Sequence, residues 1–274
     1  MMLPPKMVRD ITEDEVRSFV RDGWAFLPGF VELECVDALL FAAKEAMGKS
    51  GDDWVARSGK DAQLGHWQDR HFLARDGIEP FRSFALSSYM GQAAKRLMER
   101  EVAIRYWADM IAVKLPVSST VPSTATPLHQ DYSNKHFDRT GNVTFWMALE
   151  DTPAEKGTCR FRNGSHMLGP LGHEFGRKHP GGSGRDIHDV YPWLAERCPL
   201  SEPRDMKAGD VTVHGGLTLH CAPENRSDSP RWTYIALYFP GDALWTGSPF
   251  LGMDGADLDV GLQFDHPFFP VICD

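Results

Sequence analysis

From about Ile104 onward the chain is a series of short apolar segments set between turn residues, and this limits its fold more than any other feature. The segments are Met110–Leu115, Val143–Leu149, Cys159–Phe161, Val211–His214, Leu217–His220 and Thr233–Phe239. Each has the length of a strand, and no helical pattern alternates with them, which argues against a parallel βαβ architecture. Many short strands of this kind close into an antiparallel barrel or jelly roll, where few edges stay unpaired.

Residues 1–100 read differently. Thr12 and Glu15 have capping-box spacing, Val16, Phe19 and Val20 share a helical face, and Asp22-Gly23 ends the helix. Trp24–Leu27 is a short strand stopped by Pro28-Gly29. Val36, Leu39, Leu40, Ala43 and Met47 recur at helical spacing, and a further helix is expected within 80–99, with Phe84, Met90, Ala94 and Leu97 facing the core. The expected fold is therefore mainly β with a helical buttress. No repeat or Gly/Ser linker divides the chain, so residues 1–274 are read as one domain, with a helical preface over about 1–100 and a jelly-roll core over about 104–240. Residues 169–203, rich in Gly, Pro, His and Arg without periodicity, have the length of a lid.

Composition bounds the partners. With 38 acidic against 29 basic residues the net charge is −9, which disfavours nucleic acid. No apolar run approaches the length of a membrane span, and the first residues lack the apolar centre of a signal peptide. Five cysteines without a CxxC do not form a disulfide framework. A cytoplasmic protein acting on a small molecule is the expectation, with the oligomeric state left open.

The chemistry concentrates in two places. His129-Gln130-Asp131 puts an imidazole and a carboxylate two residues apart, on one face if the segment is a strand. An isolated HxD is as readily a surface turn. Downstream, His220-Cys221-Ala222-Pro223-Glu224-Asn225 is followed by Arg231, and the spacing suggests a hairpin whose first strand ends at His220 and whose second begins at Arg231. Two histidines and one carboxylate form the facial set that leaves three coordination positions open on Fe(II). An arginine behind them offers a fixed cationic fork for a carboxylate.

HQD at 129–131, His220 with Asn225 and Arg231, KGTCRFRNGSH at 156–166 and DGWAFLPGF at 22–30 together resemble the phytanoyl-CoA dioxygenase family. The similarity runs from about residue 12 to 240. It implies a double-stranded β-helix of cupin-like jelly-roll type and an Fe(II)/2-oxoglutarate-dependent dioxygenase that consumes O2. By the same resemblance His129, Asp131 and His220 are the iron ligands, Arg231 holds the far carboxylate of 2-oxoglutarate, and Trp146 and Met110 line the cosubstrate site. The chain departs from the pattern at Ala222, where relatives often carry serine, and Thr144 or Thr233 is a candidate for the missing hydroxyl. The resemblance also implies hydroxylation as the usual outcome, with desaturation, cyclisation or epimerisation open to a substrate radical. Asp131 stands where halogenating relatives have a small residue, so halogenation is not expected.

Other residues compete for roles. His214 would share a face with His220 on an unbroken strand, but Gly215-Gly216 interrupts it and only His220 has Asn225 and Arg231 behind it. Tyr132 and His136 follow the HxD in a loop expected at the barrel mouth, and His66-Trp67-Gln68-Asp69 is expected to drape over it. Tyr132, His136 and Trp67 are therefore the substrate-contact candidates, against the plainer reading of solvated or core positions. Cys159 and Cys221 are read as buried small apolar residues, and His173, His179 and His188 as lid histidines. A cupin-like metalloprotein that does not use 2-oxoglutarate is the alternative function.

Overall fold

The computed structural model of the chain describes residues 3–48, 67–117, 125–134, 136–171, 187–248 and 256–274. Helix α1 (Glu13–Asp22) begins with the expected box: the Thr12 hydroxyl accepts from the Glu15 amide, and the Glu15 carboxylate accepts from the Thr12 amide at 2.8 Å. It ends at Gly23, whose φ of 82° is the left-handed conformation glycine adopts without strain. A side chain there would also collide with His166 and Thr218, since an added β-carbon falls 2.5 and 2.6 Å from them. The NGSH turn is thus a packing element against the end of α1. Val16 is buried as expected, whereas Val20 lies on the solvent side.

Strand β1 (Trp24–Leu27) and helix α2 (Leu33–Met47) follow, then β2 (Trp67–His71). The helix expected within 80–99 is two helices, α3 (Phe81–Ala85) and α4 (Ser88–Met98). The Ser87 hydroxyl caps α4 by accepting from the Met90 amide, which starts a new helix where one continuous helix would otherwise run. The β region contains β3 (Ile104–Lys114), β4 (Thr126–His129), β5 (Val143–Ala148), β6 (Arg160–Phe161), β7 (Val211–Gly215), β8 (His220–Ala222), β9 (Arg231–Pro240) and β10 (Val271–Cys273). Short helices α5 (Ile187–Val190) and α6 (Leu194–Arg197) lie in the described part of the expected lid.

Two antiparallel sheets face each other in a jelly roll. The larger has the order β1-β7-β5-β9-β3-β10, with β2 also paired to β3, and the smaller has the order β4-β8-β6. Period-two alternation decides what each face of the larger sheet presents. Val143, Phe145 and Met147 of β5, Val211 and Val213 of β7, and Trp232, Tyr234, Ala236 and Tyr238 of β9 turn outward and pack with α2, α3 and α4 into the main core. Phe81 and Phe84 are fully buried there, and each contributes about 1.5–3 kcal/mol by leaving water. The intervening residues Thr144, Trp146, Thr212, His214, Arg231, Thr233 and Ile235 turn toward the smaller sheet.

Two expectations for the region around His220 are corrected. Residues 216–218 form a turn, so β8 begins at His220 where a strand ending there was expected. Nor do β8 and β9 make a hairpin. β8 pairs with β4 and β6, and β9 with β3 and β5, so the 223–230 loop carries the chain from one sheet to the other. Asn225 is buried and fixes that crossing, donating to the carbonyls of Lys114 and Ser229 at 2.9 and 2.8 Å.

Candidate active site

His129 closes β4 and lies directly opposite His220 on β8. Asp131 is not on the strand; it opens a single 3₁₀ turn, Asp131–Asn134, directly after it. The chain bend still brings the three together: Nε2 of His129 and Nε2 of His220 each lie 3.6 Å from Asp131 Oδ1. One ligand atom from each residue falls within 4.8 Å of the others. Cis donors about 2.1 Å from one octahedral ion lie about 3 Å apart, so a small contraction would seat such an ion.

The hydrogen-bond pattern fixes which imidazole nitrogen of each ring is turned to Asp131. His129 Nδ1 donates to Pro127 O at 2.8 Å, and His220 Nδ1 donates to Thr218 O at 3.0 Å. A carbonyl can only accept, so in each neutral ring the proton sits on Nδ1 and Nε2 carries the lone pair. Both lone pairs then face Asp131. Burial, reinforced by His214 and His129, pushes the His220 pKa well below its ordinary value, which keeps the ring neutral. Burial works to raise the Asp131 pKa, but His220, His129 and His214 outweigh it and hold the carboxyl well below the usual range. Two imidazoles and one carboxylate suit a divalent transition metal.

A cavity of about 110 Å³ opens beside these atoms, lined by the three residues, by Met110 and Trp146, and at its far end by Arg231. Arg231 is fully buried. Its guanidinium lies 5.0 Å from the Trp146 ring centroid, Nη1 donates to Gly157 O, and Nε has no partner. Burial lowers its pKa to about 10, which leaves it charged at neutral pH. No carboxylate among the described residues forms an ion pair with it. An unpaired buried cation is costly, so the position is built for an anion.

Neither candidate for the missing serine hydroxyl both lines the cavity and is uncommitted. Thr144 Oγ1 donates to Asp131 Oδ2 at 2.9 Å and is committed, and Thr233 is not among the cavity-lining residues. Thr126, which sequence reasoning missed, lines the cavity directly across the β4–β8 ladder from Ala222, and its buried hydroxyl has no partner. Only the register of the two strands, which the sequence does not display, reveals this residue. His214, which sequence spacing ranks behind His220, also reaches the site. It is buried on β7, and its Nε2 lies 3.2 Å from Asp131 Oδ2.

The substrate-contact candidates separate. His136 is buried, where a solvated position was the plainer expectation. It stacks on Trp107 at 5.4 Å and lines a second cavity of about 180 Å³ that also contains His71, Phe72, Phe137 and Asp131. Aromatic packing thus draws a polar loop residue inward. Tyr132 is turned to its own loop, its hydroxyl donating to Phe137 O at 3.1 Å. Trp67 pairs through its backbone with Lys114, but its side chain lies outside the described residues, as do His173 and His179. His188 is held against Arg162 at 3.1 Å. Cys159 is buried as expected, and Cys221 is partly exposed and lines the first cavity.

The family model for phytanoyl-CoA dioxygenase matches residues 19–233. Among solved structures, the fold is similar to the non-heme alpha ketoglutarate dependent carbocyclase SnoK from nogalamycin biosynthesis, at 24% identity and a TM-score of 0.73 over 98% of this chain and 99% of that one. The epimerase SnoN, solved with Fe3+, alpha ketoglutarate and nogalamycin RO, has 22% identity and a TM-score of 0.72 over 95% of this chain and 98% of that one. EvdO2 from Micromonospora carbonacea var. aurantiaca, complexed with 2-oxoglutarate, has 17% identity and a TM-score of 0.67 over 89% and 96%. No curated protein matches the sequence. No helix among the described residues is long and apolar enough to cross a membrane.

Proposed function

As this chain belongs to the phytanoyl-CoA dioxygenase family of Fe(II)/2-oxoglutarate-dependent oxygenases, we propose that its two cavities hold 2-oxoglutarate and a small organic substrate whose C–H bond is oxidised. In this reading His129, Asp131 and His220 hold the iron and Arg231 holds the distal carboxylate of 2-oxoglutarate. The observation that carries it is the buried, charged Arg231, without a carboxylate partner among the described residues, in the cavity that the ligand set also lines. When bound there, Fe(II) supplies O2 activation coupled to decarboxylation of 2-oxoglutarate to succinate and CO2.

The chain's own residues supply orientation and dryness. Arg231 and Trp146 fix one end of the cosubstrate so that its keto acid end meets the metal, and Met110, Ile235 and Leu237 keep water from the chain between. The second cavity touches the first at Met110, Asp131 and Leu237 and places a substrate carbon against the same centre. Its walls, Phe72, Trp107, His136 and Phe137, suit a partly apolar molecule such as a secondary-metabolite intermediate. That SnoK and SnoN come from nogalamycin biosynthesis fits this class. Hydroxylation is the simplest outcome.

Succinate released from 2-oxoglutarate in air, with Fe(II) and a panel of aromatic and alicyclic natural-product intermediates, tests the reading. Stimulation by a panel member, lost in Asp131→Ala, supports it. Stimulation by CoA thioesters alone would contradict the substrate class, and a site that holds metal without 2-oxoglutarate turnover would favour the cupin-like alternative.

A further inference from the structure

We infer that His214 is a positioning residue that, with Thr144, restricts Asp131 to binding the metal through a single oxygen. The inference rests on the proposed iron site and extends it to a residue outside the ligand set.

Thr144 and His214 are directly paired across the β5–β7 ladder, so both side chains leave the larger sheet on the same face. Both reach the same atom: Thr144 Oγ1 lies 2.9 Å and His214 Nε2 3.2 Å from Asp131 Oδ2. The other oxygen, Oδ1, is the one that faces His129 and His220. The carboxylate is thus divided between two tasks, one oxygen tethered to the larger sheet and one turned to the metal ligands of the smaller.

The tautomer of His214 supports this reading. Asp131 Oδ2 accepts, so Nε2 carries the proton, and Nδ1 is left buried with no hydrogen-bond partner. The ring is wedged against Phe161 at 5.3 Å and His220 at 4.1 Å. It is therefore opposite in tautomer to His129 and His220, a donor among acceptors. Leaving one nitrogen unsatisfied is unfavourable. The hydrogen bond from Nε2 to the ligand carboxylate offsets that cost.

The consequence concerns the coordination positions. A carboxylate free to rotate can chelate with both oxygens, which fills a position that 2-oxoglutarate needs for its own two-point attachment. Tying Oδ2 to the larger sheet keeps that position open. His214 then matters more for cosubstrate binding than for iron binding.

The test uses anaerobic protein with Fe(II) added alone and then with 2-oxoglutarate, read by metal titration and by the visible charge-transfer band. In His214→Phe, iron affinity is expected to stay near that of the parent, while 2-oxoglutarate affinity at equal iron occupancy falls roughly 10–100-fold, the scale of one lost hydrogen bond to a charged group. His214→Gln, whose amide N–H reaches a similar position, is expected to restore most of that loss, and His214→Asn, too short, is not. The Gln and Asn pair serves if the Phe variant does not fold. Unchanged 2-oxoglutarate affinity in His214→Phe, or equal losses in Gln and Asn, would overturn the inference. A parent protein that binds iron without producing the band would instead overturn the proposed function.

Discussion

Lys114 and Arg231 are directly opposite one another on β3 and β9, so two buried cations stand side by side, and the second of them lines the cavity. Lys114 Nζ donates to the carbonyls of Pro223 and Ala222 at 2.6 and 3.2 Å, at the end of β8 and just beyond it. It therefore clamps the strand that carries His220 to the sheet that carries Arg231. Burial, with the charge of Arg231 second, lowers its pKa to about 7. The ammonium is charged below that value and neutral above it. A bound dianion favours the charged form, so 2-oxoglutarate binding should take up a proton near neutrality. Affinity is expected to fall on the order of tenfold between about pH 6 and pH 8. Calorimetry in buffers of different ionisation heat measures both the affinity and the proton uptake, and Lys114→Met should abolish the pH step.

Arg231→Ala removes the cation that the cosubstrate pairs with. Truncating one member of a buried charge pair costs about 2–5 kcal/mol, so 2-oxoglutarate affinity should fall by that amount while Fe(II) still binds. Parallel iron and cosubstrate titrations check the separation. Arg231→Lys should recover only part of the loss, because a point charge does not reproduce the planar fork.

Thr126→Val keeps the shape of the side chain and removes its unpartnered hydroxyl. If that hydroxyl contacts the cosubstrate, affinity falls by about 0.5–1.5 kcal/mol, and Thr126→Ser retains it. Equal affinity in the parent and in Thr126→Val would show that the hydroxyl makes no such contact.

Asp109 is a stability centre remote in role from the chemistry. It is fully buried and accepts from the hydroxyls of Tyr106 and Tyr234, both at 2.6 Å, and from the Ala74 amide at 3.1 Å. Asp109→Ala strands these donors, at about 1–3 kcal/mol for each buried group left unpaired. A large drop in the urea midpoint of unfolding is expected, with any folded protein still binding iron.

The parts of this molecule set by local rules were legible in its sequence. Thr12, Glu15 and Gly23 announce α1 because capping is a matter of adjacent residues, and the apolar runs that become β5 and β9 announce strands because their length and the turns around them are local. The grouping of His129, Asp131 and His220 was legible because they stand in motifs that carry the family resemblance. What depends on pairing between distant strands was not. Nothing near Leu217 shows that the strand starts only at His220, or that the segment after it crosses to the other sheet. The importance of Thr126 and His214 follows from their cross-strand neighbours, Ala222 and Thr144, which lie 96 and 70 residues away in the chain. His136 is buried because Trp107, on a different strand, offers a ring to stack on.

An anaerobic visible spectrum of metal-free protein after Fe(II) and then 2-oxoglutarate tests the metal and cosubstrate sites together. A weak charge-transfer band is expected that appears only with both, is absent in His129→Ala, and needs more 2-oxoglutarate in Arg231→Ala. Iron bound by the parent protein with no band at saturating 2-oxoglutarate would contradict it.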